Sequence, residues 1–283
     1  VSEPTEFQIA AERCQTALEL LHVVGYFAPE PREAYEKLGL NPLLAYFPAR
    51  AAALGPASAE LTVATFYVFS PRLVEMILPA AWDITSPEQL VEVRRSSVGE
   101  SLHRLLGSPD VDEAVELART ACAGLMPGGR PLYAAHASLP WPGDPLLALW
   151  HAASLLREHR GDGHIAALLM AGLDPVEAIA LHGPAAGATK FLKATRGWTP
   201  EEWTAGEDRL RARGLLDADA ALTEAGAAFK ADLEARTVTA ARGGWERLGP
   251  AGTARLAELL KPLRRQLLDS ADLFPRFIQR TTA

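Results

Sequence analysis

The sequence predicts a mainly α protein, on three observations. Ala and Leu dominate a chain that is only 7% aromatic, and both stand near the top of the helix scale. Ser or Thr followed by Pro marks helix starts at Ser70-Pro71, Ser86-Pro87 and Thr199-Pro200, because the first residue caps and proline fits the first helical position. Apolar residues also recur near a helical period, as at Ile9, Cys14, Ala17, Leu18, Leu21 and Val24.

Taken in order, residues 6–25 predict an amphipathic helix stopped by Gly25, and 30–39 a second ended by Gly39. A short helix interrupted by Pro48 follows. Ser58 caps an apolar helix that runs through Phe69, and another starts at Pro71 and ends at Leu78-Pro79. Helices over 87–106 and 110–124 come next. The Pro/Gly-rich stretch from Pro127 to Pro145 reads as a boundary. It separates an N-terminal helical domain, 1–140, from a C-terminal domain, 146–283.

In that second part, a helix over 146–159 meets Gly161-Asp162-Gly163, and helices over 164–171 and 174–182 follow. Thr199 caps a helix over 200–213, and Thr223 caps a long one over 224–241. Between them Leu215-Leu216 and Ala221-Leu222 predict two short strands around a turn at Asp217–Ala220. Helix, strand, turn, strand, helix is the pattern of a winged helix with a small β-wing. A last amphipathic helix covers 246–268.

The segment RARGLLDADAALTEAGAAFKADLEART (211–237) resembles winged-helix proteins of the MarR type, over roughly residues 146–240. Nearly the whole chain resembles an actinobacterial helix-turn-helix family of mostly unknown function. The residues that carry this are YFAPE (26–30), AYFPARAAALGP (45–56), TFYVFSP (65–71), LPAAW (78–82), LPWP (139–142), LWHAASLLREHRGDGHIAAL (149–168) and TRGWTPEEW (195–203). The resemblance implies a helix-turn-helix fold and a homodimer, and it names no reaction.

Charge argues against nucleic acid as the partner. The net charge is −7, and an acidic chain repels phosphate backbones unless a local basic patch intervenes. Residues 1–145 hold 10 Lys and Arg against 18 Asp and Glu, and the remainder 18 against 17, so neither part is basic. The helix 200–213 would enter the major groove, yet its first half carries Glu201, Glu202, Glu207 and Asp208. Arg209, Arg211 and Arg213 lie at its far end. No run of about 18 apolar residues predicts a membrane span. The polar N-terminal segment is unlike a signal peptide, and the two cysteines have no CxxC spacing. A cytoplasmic protein is expected.

Four of the seven histidines, His151, His159, His164 and His182, fall within one short span. His159, Asp162 and His164, beside Glu158 and Arg160, are candidate acid–base residues, because an imidazole titrates near neutral pH and a carboxylate can orient it. The bland alternative has Gly161 ending one helix and Asp162 capping the next. Trp150, His151, Ser154 and Glu158 share a helix face that could line a pocket or a core seam. Tyr46, Arg50, Thr65 and Tyr67 supply a second polar-aromatic set of the kind that lines ligand pockets, and Arg50 in an apolar stretch needs a partner.

A metal site is not expected, because His159 and His164 lack the i, i+4 spacing of a helical ligand pair. Haem ligation through His151 or His182 has no specific support, so no cofactor is assigned. The resulting expectation is a winged-helix protein turned to small-molecule work in actinobacterial secondary metabolism. It would be a cofactor-independent cyclase, isomerase or hydrolase, or else a ligand-responsive transcriptional regulator.

Overall fold

A computed structural model describes residues 5–270 and residue 273. The end of the expected C-terminal domain, 274–283, lies outside the described residues. Fifteen α-helices are formed among the described residues: α1 (Glu6–Phe27), α2 (Pro29–Lys37), α3 (Tyr46–Ala51), α4 (Ala59–Phe66), α5 (Pro71–Glu75), α6 (Ala81–Ile84), α7 (Pro87–Leu106), α8 (Asp112–Cys122), α9 (Pro131–Ala137), α10 (Pro145–Met170), α11 (Pro175–Ala186), α12 (Thr189–Thr195), α13 (Pro200–Ala212), α14 (Glu224–Ala241) and α15 (Gly243–Leu268). The mainly α class is observed.

Three apolar clusters organise them. The first joins α1, α7, α8, α10 and α15 through residues such as Leu21, Leu102, Ala118, Leu149 and Leu260. The last helix therefore packs along the first, and the two ends of the described chain meet. The second cluster gathers α2 to α7 and α9 around Tyr35, Phe47, Phe66, Leu78, Leu90 and Leu132. The third joins the end of α10 to α11, α12, α13 and α14 through Leu168, Leu181, Leu192, Trp203, Leu210 and Leu233.

Four predicted caps form, while Ser70 precedes α5 without a capping bond from its side chain. Ser58, Ser86, Thr199 and Thr223 each accept a hydrogen bond from a first-turn amide. Elsewhere tertiary contacts override local signals. The first helix passes Gly25 and stops at extended Ala28, which precedes Pro29. Helix α4 ends three residues early. Tyr67 turns into positive φ, at 56°, so that its hydroxyl donates to Leu173 O at 2.5 Å. The indole N–H of Trp198 then donates to Val68 O at 3.0 Å.

The Pro/Gly-rich boundary contains a helix, α9. Its first turn is capped from a distance, by Asp162 accepting from Tyr133 N at 2.9 Å. The predicted wing reduces to one antiparallel bridge, Leu216 with Leu222. The Asp217 carboxylate accepts from the amides of Asp219 and Ala221, so the turn begins at once and leaves no length for a ribbon. Thr223 already caps α14.

The largest departure is α10. It runs unbroken for 26 residues through Gly161-Asp162-Gly163. Neither the break nor a cap by Asp162 on its own helix forms. Mid-helix glycine costs about 1 kcal/mol against alanine, a penalty smaller than the burial gained at both ends of the helix. Gly163 has a packing reason: a Cβ there would lie 2.6 Å from Arg130 Nη1 and 3.1 Å from Ala240 Cβ. Gly161 has none, since its Cβ would meet Arg157 and Glu158 only at 3.8 Å.

The two glycines should therefore respond oppositely. Gly161→Ala should stabilise the protein by roughly 0.5–1 kcal/mol. Gly163→Ala should destabilise it by about 1–3 kcal/mol, as overpacking does. Chemical denaturation of both variants checks this, and equal responses would contradict a continuous α10.

Candidate functional site

Along α10 the predicted polar residues disperse. Its side chains point in successive directions about 100° apart, so sequence neighbours reach different partners. Glu158 is fully buried. It accepts from Arg50 Nε at 2.8 Å and Nη2 at 2.5 Å, and from Arg157 Nη1 at 2.9 Å. Arg50, on α3, donates its remaining nitrogen, Nη1, to the Tyr46 hydroxyl at 3.0 Å and stacks over Phe66 at 4.4 Å. The apolar-stretch arginine has its partner, 108 residues away.

Burial alone would raise the Glu158 pKa, but Arg50 and Arg157 outweigh it and hold the carboxyl well below the usual range. His22, on α1, completes the cluster. Its Nδ1 lies 2.9 Å from Ser154 Oγ and its Nε2 2.7 Å from the Tyr26 hydroxyl. Burial, then Arg157, keep this imidazole neutral.

The expected acid–base trio does not share a site. His159 lies edge-on to Tyr133, with ring centroids 5.1 Å apart. Asp162 caps α9. His164 Nδ1 meets Thr237 Oγ1 of α14 at 2.9 Å, and neighbouring Arg160 pairs with Glu234 at 2.6 Å. Thr65 bonds within its own helix, to Leu61 O and Thr62 O, and Tyr67 ties α4 to the third cluster.

Trp150 and His151 go elsewhere. Both line a cavity of about 390 Å³ between α7, α9, α10 and the turn after α3. Arg94, His136 and Ser154 line it too, with Val91 and Leu139 among its apolar walls. The Trp150 indole donates to His22 O at 3.3 Å, and His151 packs edge-on to Trp141. Arg50, Glu158, His159, Asp162 and His164 do not line it. A polar path still joins cavity and ion cluster, through Ser154, His22 and Glu158.

Arg94 and His136 were missed from sequence. Arg94 sits in an Arg-Arg pair that looks like a solvated face, and His136 in the presumed linker. A signal existed for the first: Arg94 is four residues from both Leu90 and Val98, on the apolar face of its helix. Among the described residues no group of three or more His, Cys, Asp or Glu is placed to hold a metal. No single helix there is long and apolar enough to cross a membrane.

Removing one partner of a buried ion pair leaves the other uncompensated. Glu158→Gln should lower stability by roughly 3–5 kcal/mol, read by urea denaturation. A loss under about 1 kcal/mol would mean the cluster is hydrated.

Acid should also weaken the fold. Burial pushes His136, His151, His159 and His164 down to about 4, while unfolded imidazoles take protons near 6.5. The unfolded chain thus binds more protons between those values, so this stability is complete above about 6.5 and is lost as pH falls toward 4. Asp162, raised by burial to about 6, acts in the opposite sense, since folding retains its proton. One carboxyl is outweighed by several imidazoles. Tm should fall steadily from neutral pH toward pH 5, and a flat profile would contradict the neutral buried histidines.

No curated protein and no solved structure matches the chain. A family model described as a helix-turn-helix family matches residues 11–275. That span takes in the cavity, the ion cluster and all three apolar clusters, and the chain belongs to this helix-turn-helix family.

Proposed function

We propose that the chain is a ligand-responsive transcriptional regulator. Its cavity takes a small molecule, and residues from about 167 to 241 act as a helix-turn-helix unit that reads DNA. Family membership supports the second half of this reading. One observation carries the connection. The unbroken α10, about 39 Å long at 1.5 Å per residue, holds Trp150, His151 and Ser154 on the cavity and Ala167 and Leu168 in the core of the unit. A ligand that shifts the first end moves the second. The acid–base enzyme has no comparable support, because its three residues are held by separate partners and none lines the cavity.

Helix α13 takes the place of the recognition helix. In this conformation its cations are engaged within the molecule. Arg209 pairs with Asp174 and Glu177, Arg211 with Asp208 and Glu207, and Arg213 donates to Ala171 O and Gly172 O. Its first turn presents Glu201 and Glu202, and Glu202 is paired with Arg72 of α5 at 2.6 Å. We read this as a state that binds DNA weakly, since phosphate contact needs available cations.

Selection of genomic fragments at low salt, followed by titration at rising salt, tests the proposal. Wild type should enrich defined fragments and lose them steeply with salt. Glu201→Gln with Glu202→Gln should bind the same fragments several-fold more tightly, while glutamine keeps the capping bond to Thr199 N. No enrichment by either protein would overturn the regulator.

A further inference from the structure

We propose that the cavity between α7, α9 and α10 is a receptor for a compact organic monocarboxylate, with Arg94 as its cation. This rests on reading the cavity as the ligand site, and it adds the chemical class of the ligand.

Arg94 is only 4% exposed. Among the described residues no carboxylate pairs with it, in contrast to Arg50, which is equally buried and held on two nitrogens by Glu158. Its Nη1 makes two long contacts, 3.4 Å to Ala49 O and 3.3 Å to His136 Nε2. Its Nη2 is buried without a hydrogen-bond partner. The faces of Trp150 and Tyr26, at 5.2 and 5.7 Å, give it cation–π contact but no counter-charge. A buried guanidinium in this condition is costly.

Its surroundings do not compensate. Glu158 is shared between Arg50 and Arg157, and Arg157 pairs with Glu19 as well at 3.7 Å, so the charges of that cluster are committed to one another and none is left for Arg94. The neighbouring imidazoles add no charge at neutral pH, since burial lowers both His136 and His151 to about 4. His136 Nδ1 faces Leu132 O at 2.9 Å and must donate to that carbonyl. Its Nε2 therefore accepts from Arg94 and orients the guanidinium. His151 Nε2 is a second buried nitrogen without a partner. An anion entering the cavity would supply the absent charge and meet a further imidazole nitrogen.

Shape and rim restrict which anion. A volume of about 390 Å³ suits a small organic molecule, and Val91, Leu139 and Trp150 offer it apolar walls. Exposed Glu88 and Glu92 also border the cavity, together with Arg95, which pairs with Glu92 and leaves the Glu88 carboxylate unbalanced at the rim. Carboxylates there repel a polyanion, and a single interior guanidinium balances one negative charge. A monocarboxylate with an apolar body fits these terms better than a phosphate ester.

Calorimetric titration of the full chain with benzoate, benzamide and inorganic phosphate tests this. Benzoate should bind, with benzamide and phosphate at least about tenfold weaker. Arg94→Met should fold, because it removes an uncompensated buried charge, and should lose benzoate by at least about tenfold. Ala53→Leu, which narrows the cavity and keeps the arginine, should also lose it and guards against a misfolded arginine variant. Benzamide binding as well as benzoate would overturn the carboxylate while leaving the cavity as a ligand site. Preference for phosphate, absence of benzoate binding, or unchanged affinity in Arg94→Met would each overturn the proposal. DNA is not read in this experiment, so its failure is distinct from failure of the regulator.

Discussion

The buried carboxylate of Glu158 is the constraint on which the rest of the arrangement depends. Stripping an ion of water costs several kcal/mol, and only good geometry with several donors offsets it. Here Arg50 supplies two nitrogens and Arg157 a third. Arg50 comes from the second apolar cluster and His22 from the first, while Glu158 sits on the helix that crosses between clusters. A misplacement of α1, α3 or α10 leaves a charge unpaired in the interior. Apolar contact tolerates small slippage, but this pairing does not, so it sets how the clusters dock.

That requirement also explains why α10 stays straight through two glycines. Its first half is anchored by Leu149, Ala152, Ala153 and Leu156, its centre by Glu158, and its far end by Ala167 and Leu168. The local preference to break at Gly161-Asp162-Gly163 is worth a kilocalorie or two, and the anchors exceed it. Continuity then distributes the polar side chains. His159 turns to α9, Arg160 and His164 to α14, and Asp162 to the amides that begin α9. A dense polar motif in sequence becomes four separate fastenings between helices. The same straightness makes one rigid element common to the cavity and the third apolar cluster.

Other carboxylates of the chain serve a related purpose. Many of them are positioned to hold arginines: Glu30 with Arg104, Asp174 and Glu177 with Arg209, Glu113 with Arg255. On α13 this leaves cations committed within the molecule. Arg94 stands apart from that pattern, buried on α7 and facing no carboxylate among the described residues.

By itself the sequence determined the mainly α class, the capped helix starts at Ser58, Ser86, Thr199 and Thr223, and the apolar period of the long helices. These features follow from short-range physics, since a cap or a proline acts on amides within one turn. The sequence also marked Arg50 as needing a partner and Trp150 with His151 as pocket candidates. Tertiary structure alone decided that Glu158 is that partner, that Asp162 caps a helix 29 residues before it, that α4 stops at Tyr67, and that Arg94 and His136 meet Trp150 and His151 around one cavity. Each of these joins groups far apart in the chain. Their energies arise only when packing removes water and brings them within hydrogen-bond distance, which no local pattern encodes.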